Sequence, residues 1–145
     1  MWHQAVYFKE ERIMNLKEYF SRTKGTGFLA TSSADGKVDL AVYSRPHVME
    51  DGTIAFIMRE RLTHENLQQN TNAAYAFIEE GGSFQGIRLF IRKTGQDENE
   101  DLIAKMSRRN LSASEDAARG PKHIVYFKVE KILSLVGGQE LDHEC

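Results

Sequence analysis

A chain with a single cysteine cannot close a disulfide on itself, and here that cysteine is the last residue, Cys145. A reducing, cytoplasmic setting is the expectation. Long apolar runs are missing as well, so no segment approaches the length needed to cross a membrane as a helix. Residues 1–12 meet charges early at Lys9, Glu10, Glu11 and Arg12, which is unlike the uninterrupted core of a secretory signal. Neither sign of charge dominates. With 19 Lys and Arg against 21 Asp and Glu, the net charge is −2, and no basic block is present to favour a nucleic acid.

Ready-made catalytic patterns are also missing. The five histidines (His3, His47, His64, His123 and His143) show no i, i+4 pairing with one another, which argues against a metal site. No serine stands in a nucleophile elbow. The paired carboxylates Asp97-Glu98, Glu100-Asp101 and Glu115-Asp116 fall in polar loops or helix starts, where solvation or capping accounts for them. No strand, glycine-rich turn and helix follow one another as dinucleotide binding requires. A chain so lacking in side-chain catalysts either binds something or leaves the chemistry to a cofactor.

What is present fits one domain of 145 residues. A short amphipathic helix is expected over 13–21, with Leu16 and Phe20 four apart. Phe28–Ser32 reads as a strand, Ala34-Asp35-Gly36 as a hairpin turn, and Val38–Val42 as a half-buried partner strand in which Val38, Leu40 and Val42 alternate with Asp39 and Ala41. After a bend at Pro46 and a turn at Glu50-Asp51-Gly52, Thr53–Met58 returns as the third strand of an antiparallel meander. Further strands are expected at Ala74–Ile78, at Gly86–Lys93, where Ile87, Leu89 and Ile91 alternate with Arg88, Phe90 and Arg92, and at His123–Val136 with an irregularity near Lys131. A helix is expected over Asn99–Arg109, with Leu102 and Met106 inward, and a polar loop over Ser112–Lys122. Six strands with three short connecting helices argue for a mainly β (α+β) architecture, an antiparallel barrel or sheet with helices outside.

The most informative stretch is Met58-Arg59-Glu60-Arg61-Leu62-Thr63-His64-Glu65-Asn66-Leu67. It joins a buried strand to a helix, with Thr63 placed as N-cap and Leu62 and Leu67 placed as a hydrophobic staple. Arg59 and Arg61 beside the unpaired amides of a helix start make an anion site suited to phosphate, to which His64 is near enough to donate. Local pairing with Glu60 and Glu65 is the competing reading.

That junction, the leading helix, Gly27-Phe28-Leu29-Ala30-Thr31, the turn at Asp35-Gly36 and Asp51-Gly52-Thr53-Ile54-Ala55-Phe56 together resemble the FMN-binding split-barrel family, the pyridoxamine 5′-phosphate oxidase-like proteins. The resemblance runs from about residue 14 to 136, leaving 1–13 as an N-terminal extension and 137–145 as a C-terminal tail. It implies a six-stranded antiparallel split β-barrel holding FMN. Arg59, Arg61, Thr63 and His64 would then lie at the phosphate, while Tyr43, Ser44 and Arg45 together with Phe56, Ile57 and Met58 lie along the isoalloxazine ring. It further implies a homodimer with FMN between subunits and a flavin-dependent oxidoreductase acting on a small-molecule redox substrate. An electron-transfer module without a dedicated substrate, or a barrel holding a deazaflavin or haem, are the alternatives. The family's true oxidase carries a C-terminal tryptophan and arginine for its substrate. Here the only tryptophan is Trp2, so oxidation of pyridoxamine phosphate is not expected.

Overall fold

The first hairpin turns at Gly36, whose φ of +86° is a left-handed conformation that glycine adopts at little cost. Its amide donates to the Ser33 carbonyl at 3.1 Å. This computed structural model describes residues 7–8, 13–107 and 112–143. Trp2, His3, Arg108, Arg109 and Cys145 lie outside the described residues. In chain order the elements are β1 (Tyr7–Phe8), β2 (Ile13–Met14), α1 (Leu16–Arg22), β3 (Gly25–Ser32), β4 (Val38–Val42), β5 (His47–Val48) and β6 (Ile54–Arg59). They continue with α2 (Leu62–Gln69), β7 (Asn72–Glu79), β8 (Gly86–Asp97), α3 (Glu100–Met106), α4 (Ala113–Ala118), β9 (Lys122–Ser134) and β10 (Glu140–His143).

All six expected strands are present as β3, β4, β6, β7, β8 and β9, but the count of six is corrected to ten among the described residues. The additional strands β1, β2, β5 and β10 are two to four residues long, too short for alternation to reveal in sequence. The sheet is almost wholly antiparallel; the β2–β10 pair is parallel. It runs β4-β3-β7-β8-β9, and β9 serves as a hub. One edge of β9 pairs with β8 over 124–134, while the other pairs with β6 over 122–127 and with β10 at Ile132 and Leu133. The expected meander is therefore also corrected, because β6 joins β9 and not β4. Local turn chemistry can specify the β3–β4 hairpin, but a partner some 70 residues away leaves no mark in the spacing. The irregularity expected near Lys131 is real. Ile91 opposes Val129 and Phe90 opposes Lys131, so Glu130 is the extra residue and Ile132 turns inward.

Among the described residues β4 and β6 share no ladder, so the sheet is open between them. Its interior is filled by Leu29, Phe56, Met58, Tyr75, Phe77, Leu89, Phe127 and Ile132, closed at one end by Tyr19 and Phe20 of α1. The outer faces of β6 and β9 are covered too. Ala55 and Ile124 lie under Ile103 of α3, with Ile57, Leu102 and Met106 around them. Burial on both faces explains why Ile54–Ile57 is a continuous apolar run with no alternation. Burying side chains of this size stabilises the fold by roughly 1.5–3 kcal/mol each.

Four local expectations change. Helix α1 starts at Leu16, not at 13, because the Asn15 side chain caps it by accepting from the Glu18 amide at 2.9 Å. In α3, Asn99 caps as expected, accepting from the Leu102 amide at 3.0 Å, but Ile103 is the buried residue, while Leu102 and Met106 are only half-buried. The expected loop after Ser112 contains α4, nucleated by a reciprocal capping box between Ser112 and Glu115. Finally, Val38, Leu40 and Val42 alternate as expected but face solvent, at 83%, 66% and 70% exposure.

Candidate functional site

The open seam of the sheet holds a cavity. Past β4 the chain stays beside β3, the Tyr43 amide donating to the Gly27 carbonyl at 3.0 Å. The Tyr43 ring then meets Phe56 of β6 edge-on at 5.7 Å, so β4 and β6, which share no ladder among the described residues, approach each other here. Tyr75 Oη donates to the Tyr43 carbonyl at 3.0 Å and fixes the turn. Gly27 permits this crowding. A Cβ at that position would overlap Tyr75 Oη and lie 2.5 Å from the Tyr43 carbonyl oxygen.

The cavity measures about 310 Å³. Eight of the ten expected site residues line it: Tyr43, Ser44 and Arg45 on one side, and Phe56, Ile57, Met58, Arg59 and Arg61 on the other. Thr63 and His64 do not. Four lining residues escaped the sequence reading, namely His47, Met106, Ser107 and Lys122. Lys122 matters most. It opposes Arg59 in the antiparallel β6–β9 register, so the two side chains share a face of the sheet. Only that long-range pairing reveals it.

Arg59, Arg61 and Lys122 collect at one end. Arg59 Nη2 donates to Asp116 Oδ1 at 2.6 Å, and Nη1 donates to the Asp116 and Gly120 carbonyls at 3.2 and 2.5 Å. Lys122 Nζ lies 3.0 Å from the same Asp116 Oδ1 and donates to Ser107 Oγ at 3.3 Å. The hydrogen bond from Arg59 and that from Lys122 hold the Asp116 carboxyl below its ordinary pKa. Arg61 is more exposed and donates to the Arg119 carbonyl at 3.1 Å. Arg45, at the other end, donates to the Phe20 and Thr23 carbonyls at 2.8 and 3.2 Å, tying the cavity wall to the C-terminus of α1.

The α2 start differs from expectation. Arg61 is the N-cap and makes no side-chain capping bond, so Thr63 falls inside the first turn. Thr63 is buried and donates to Asp39 Oδ2 at 3.3 Å. Burial pushes the Tyr43 phenol above its ordinary pKa; the nearby Thr63 hydroxyl opposes that shift and the Asp39 charge adds to it. Leu62 is 54% exposed while Leu67 is buried, so the expected staple is not formed.

His64 turns the other way, stacking on His123 with centroids 4.4 Å apart. His123 is gripped at both ring nitrogens, Nε2 by Glu60 and Nδ1 by Glu98, each at 2.8 Å. Both contacts can be donated only by an imidazolium. Burial disfavours that charge, but the Glu98 and Glu60 hydrogen bonds outweigh it and raise the His123 pKa. Burial first, and then the His123 charge, lower that of His64. This cluster lies outside the cavity, and no group of side chains suited to a metal is found among the described residues.

No protein-family model and no curated protein sequence matches this chain. Solved structures do. An FMN-binding protein from Syntrophomonas wolfei is 18% identical, with 83% of each chain covered and a TM-score of 0.66. An F420 reductase is 14% identical over 79% of this chain and 94% of its own, with a TM-score of 0.62. A putative pyridoxamine 5′-phosphate oxidase from Lactobacillus delbrueckii is 15% identical over 81% and 89%, with a TM-score of 0.59. At these identities the likeness shows the fold, which is that of the split-barrel group the sequence resembles.

Proposed function

We propose that the protein is an FMN-binding flavoprotein, active as a homodimer, and a flavin-dependent oxidoreductase for a small-molecule substrate. The observation that carries this reading is the cavity itself, with apolar strand residues along its length and Arg59, Arg61 and Lys122 at one end. Its volume of about 310 Å³ falls at the lower edge of the roughly 300–1,000 Å³ of ligand pockets, so a second subunit would enlarge and close it. Guanidinium and ammonium groups suit a phosphate. Phe56, Ile57 and Met58 suit a planar ring, and the main chain of 43–45 can reach its polar edge. FMN, when bound, supplies hydride transfer, and this chain's residues bind and orient it. The solved FMN-binding protein of the same fold adds support.

The exposed stripe of Val38, Leu40 and Val42 supports the dimer. It lies on a strand with one edge unpaired among the described residues and runs in sequence straight into Tyr43 of the cavity. A cytoplasmic site of action accords with the lone cysteine; no described helix is long and apolar enough to cross a membrane. A deazaflavin in place of FMN is the second reading, favoured by the F420 reductase among the similar structures. The visible spectrum of freshly purified protein, with mass analysis of what denaturation releases, tests the proposal. Released FMN is the expected result. A colourless protein that also fails to take up added FMN would overturn it.

A further inference from the structure

The cations that would hold a phosphate already hold an anion belonging to the chain. One oxygen of Asp116 accepts from Arg59 at 2.6 Å and faces Lys122 at 3.0 Å, so a single carboxylate bridges charges from β6 and β9. Backbone carbonyls of 116, 119 and 120 take further donors of Arg59 and Arg61. All three cations at this end of the cavity are thus engaged by one short segment. Arg59 and Lys122 are firmly seated, their side chains only 17% and 19% exposed. The segment that answers them is not. None of the described side chains of α4 is buried, so polar contacts hold it, and it joins β9 through Gly120 at φ +89° and Pro121.

We infer that Asp116 is an internal counter-anion that makes this end of the cavity selective for a phosphate dianion, which displaces it from Arg59 and Lys122. The inference rests on the reading of the cavity as a phosphate-bearing flavin site. A ligand carboxylate would exchange one monoanion for another and gain little. A phosphate monoester carries about −1.5 to −2 charges near pH 7 and three acceptor oxygens, enough to engage Arg59, Lys122 and Arg61 together. A flavin without phosphate never contests Asp116. The residue therefore determines specificity by setting a threshold that only the more highly charged group passes.

The test compares the parent with Asp116→Asn, which keeps the shape and an acceptor but removes the charge. Titrations with FMN and riboflavin are followed by flavin fluorescence, and thermal melts are run with inorganic phosphate and with acetate. The expected result is FMN binding about five- to tenfold tighter in the variant, as for loss of the two partly exposed ion pairs that compete for Arg59 and Lys122, with riboflavin affinity unchanged. Acetate should raise the melting temperature of the variant and not of the parent. Equal or weaker FMN binding by the variant would overturn the inference and make Asp116 a residue that positions the cations. Equal tightening of both flavins would overturn it too, because the cavity would merely have widened. If neither protein binds either flavin, the flavin reading falls, and inorganic phosphate still decides the role of Asp116. A larger phosphate-induced rise in the variant supports the counter-anion, and an equal rise overturns it. Asp116→Ser, carried through the same measurements, guards against an effect peculiar to asparagine.

Discussion

Arg59 and Lys122 oppose each other across the β6–β9 register and converge on one oxygen of Asp116. Arg61, two residues from Arg59, is more exposed and among the described residues reaches only the Arg119 and Glu60 carbonyls. These placements separate two roles that sequence alone assigns to both arginines.

Arg61→Ala is expected to weaken FMN binding about tenfold, the effect of losing one charge-assisted hydrogen bond, and to leave the melting temperature unchanged. Arg59→Ala is expected to weaken binding and to destabilise the fold by about 1–2 kcal/mol, because its guanidinium also ties β6 to residues 116–120. Paired fluorescence titrations and denaturant melts check this. Equal stability loss in both variants would mean that Arg61 also braces the fold.

The His123 cluster predicts a pH dependence of stability. Its folded pKa is raised above the ordinary 6.5, so its contribution is complete below about pH 6.5 and is lost as pH rises through the raised value. Glu98 is held below its ordinary 4.5, first by its hydrogen bond to His123. That contribution is present above about pH 4.5 and is lost as pH falls through the lowered value. His64, depressed by burial, opposes protonation, so its neutral form contributes stability at higher pH that is lost on acidification below about 6.5. Of the two histidines, His123 carries the closer ionic contacts, and His123→Gln is expected to flatten the decline in melting temperature between pH 6.5 and 8.5. A variant that declines as steeply as the parent would show that the Glu60 and Glu98 contacts contribute nothing.

Leu40→Glu tests the proposed subunit contact. Leu40 is 66% exposed in the single chain, so the substitution should barely alter the stability of an isolated subunit. Placed at the centre of the apolar stripe, a buried carboxylate in a dimer would be strongly unfavourable. Sedimentation velocity is expected to show dimer for the parent and monomer for the variant. A dimeric Leu40→Glu protein would move the interface elsewhere.

The parts of the fold legible in sequence are those with short-range causes. The turn at Gly36, the Asn99 cap and the inward alternation of Ile87, Leu89 and Ile91 each depend on neighbours within a few residues, and each is where the pattern puts it. Alternation cannot say which face is covered, and so Val38, Leu40 and Val42 read as half-buried. Helix α4 has no apolar stripe to announce it. Lys122 enters the cavity only through a strand pairing that spans some 60 residues. The resemblance to the split-barrel family points to 43–45, 56–59 and 61, and these residues line one cavity. Thr63 and His64 instead turn toward Asp39 and His123, because the helix N-cap falls at Arg61, two positions before Thr63.

Gly27→Ala should reveal how far the cavity depends on close packing behind it. The added Cβ would overlap Tyr75 Oη and crowd the Tyr43 carbonyl, and these two groups form the hydrogen bond that holds the turn at Tyr43. Tyr75 is fully buried against Phe56 and Phe20, so it has little room to retreat. Either the bond breaks or the turn moves outward, and overpacking of this kind costs about 1–3 kcal/mol. The cost should appear in denaturant melts together with weaker FMN binding, since Tyr43, Ser44 and Arg45 would move with the turn. Tyr75→Phe combined with Gly27→Ala removes the overlapping hydroxyl and should recover much of the lost stability without restoring the Tyr43 bond. Failure of that double variant to recover stability would show that the Tyr43 carbonyl, and not the Tyr75 hydroxyl, is the group that excludes a side chain at position 27.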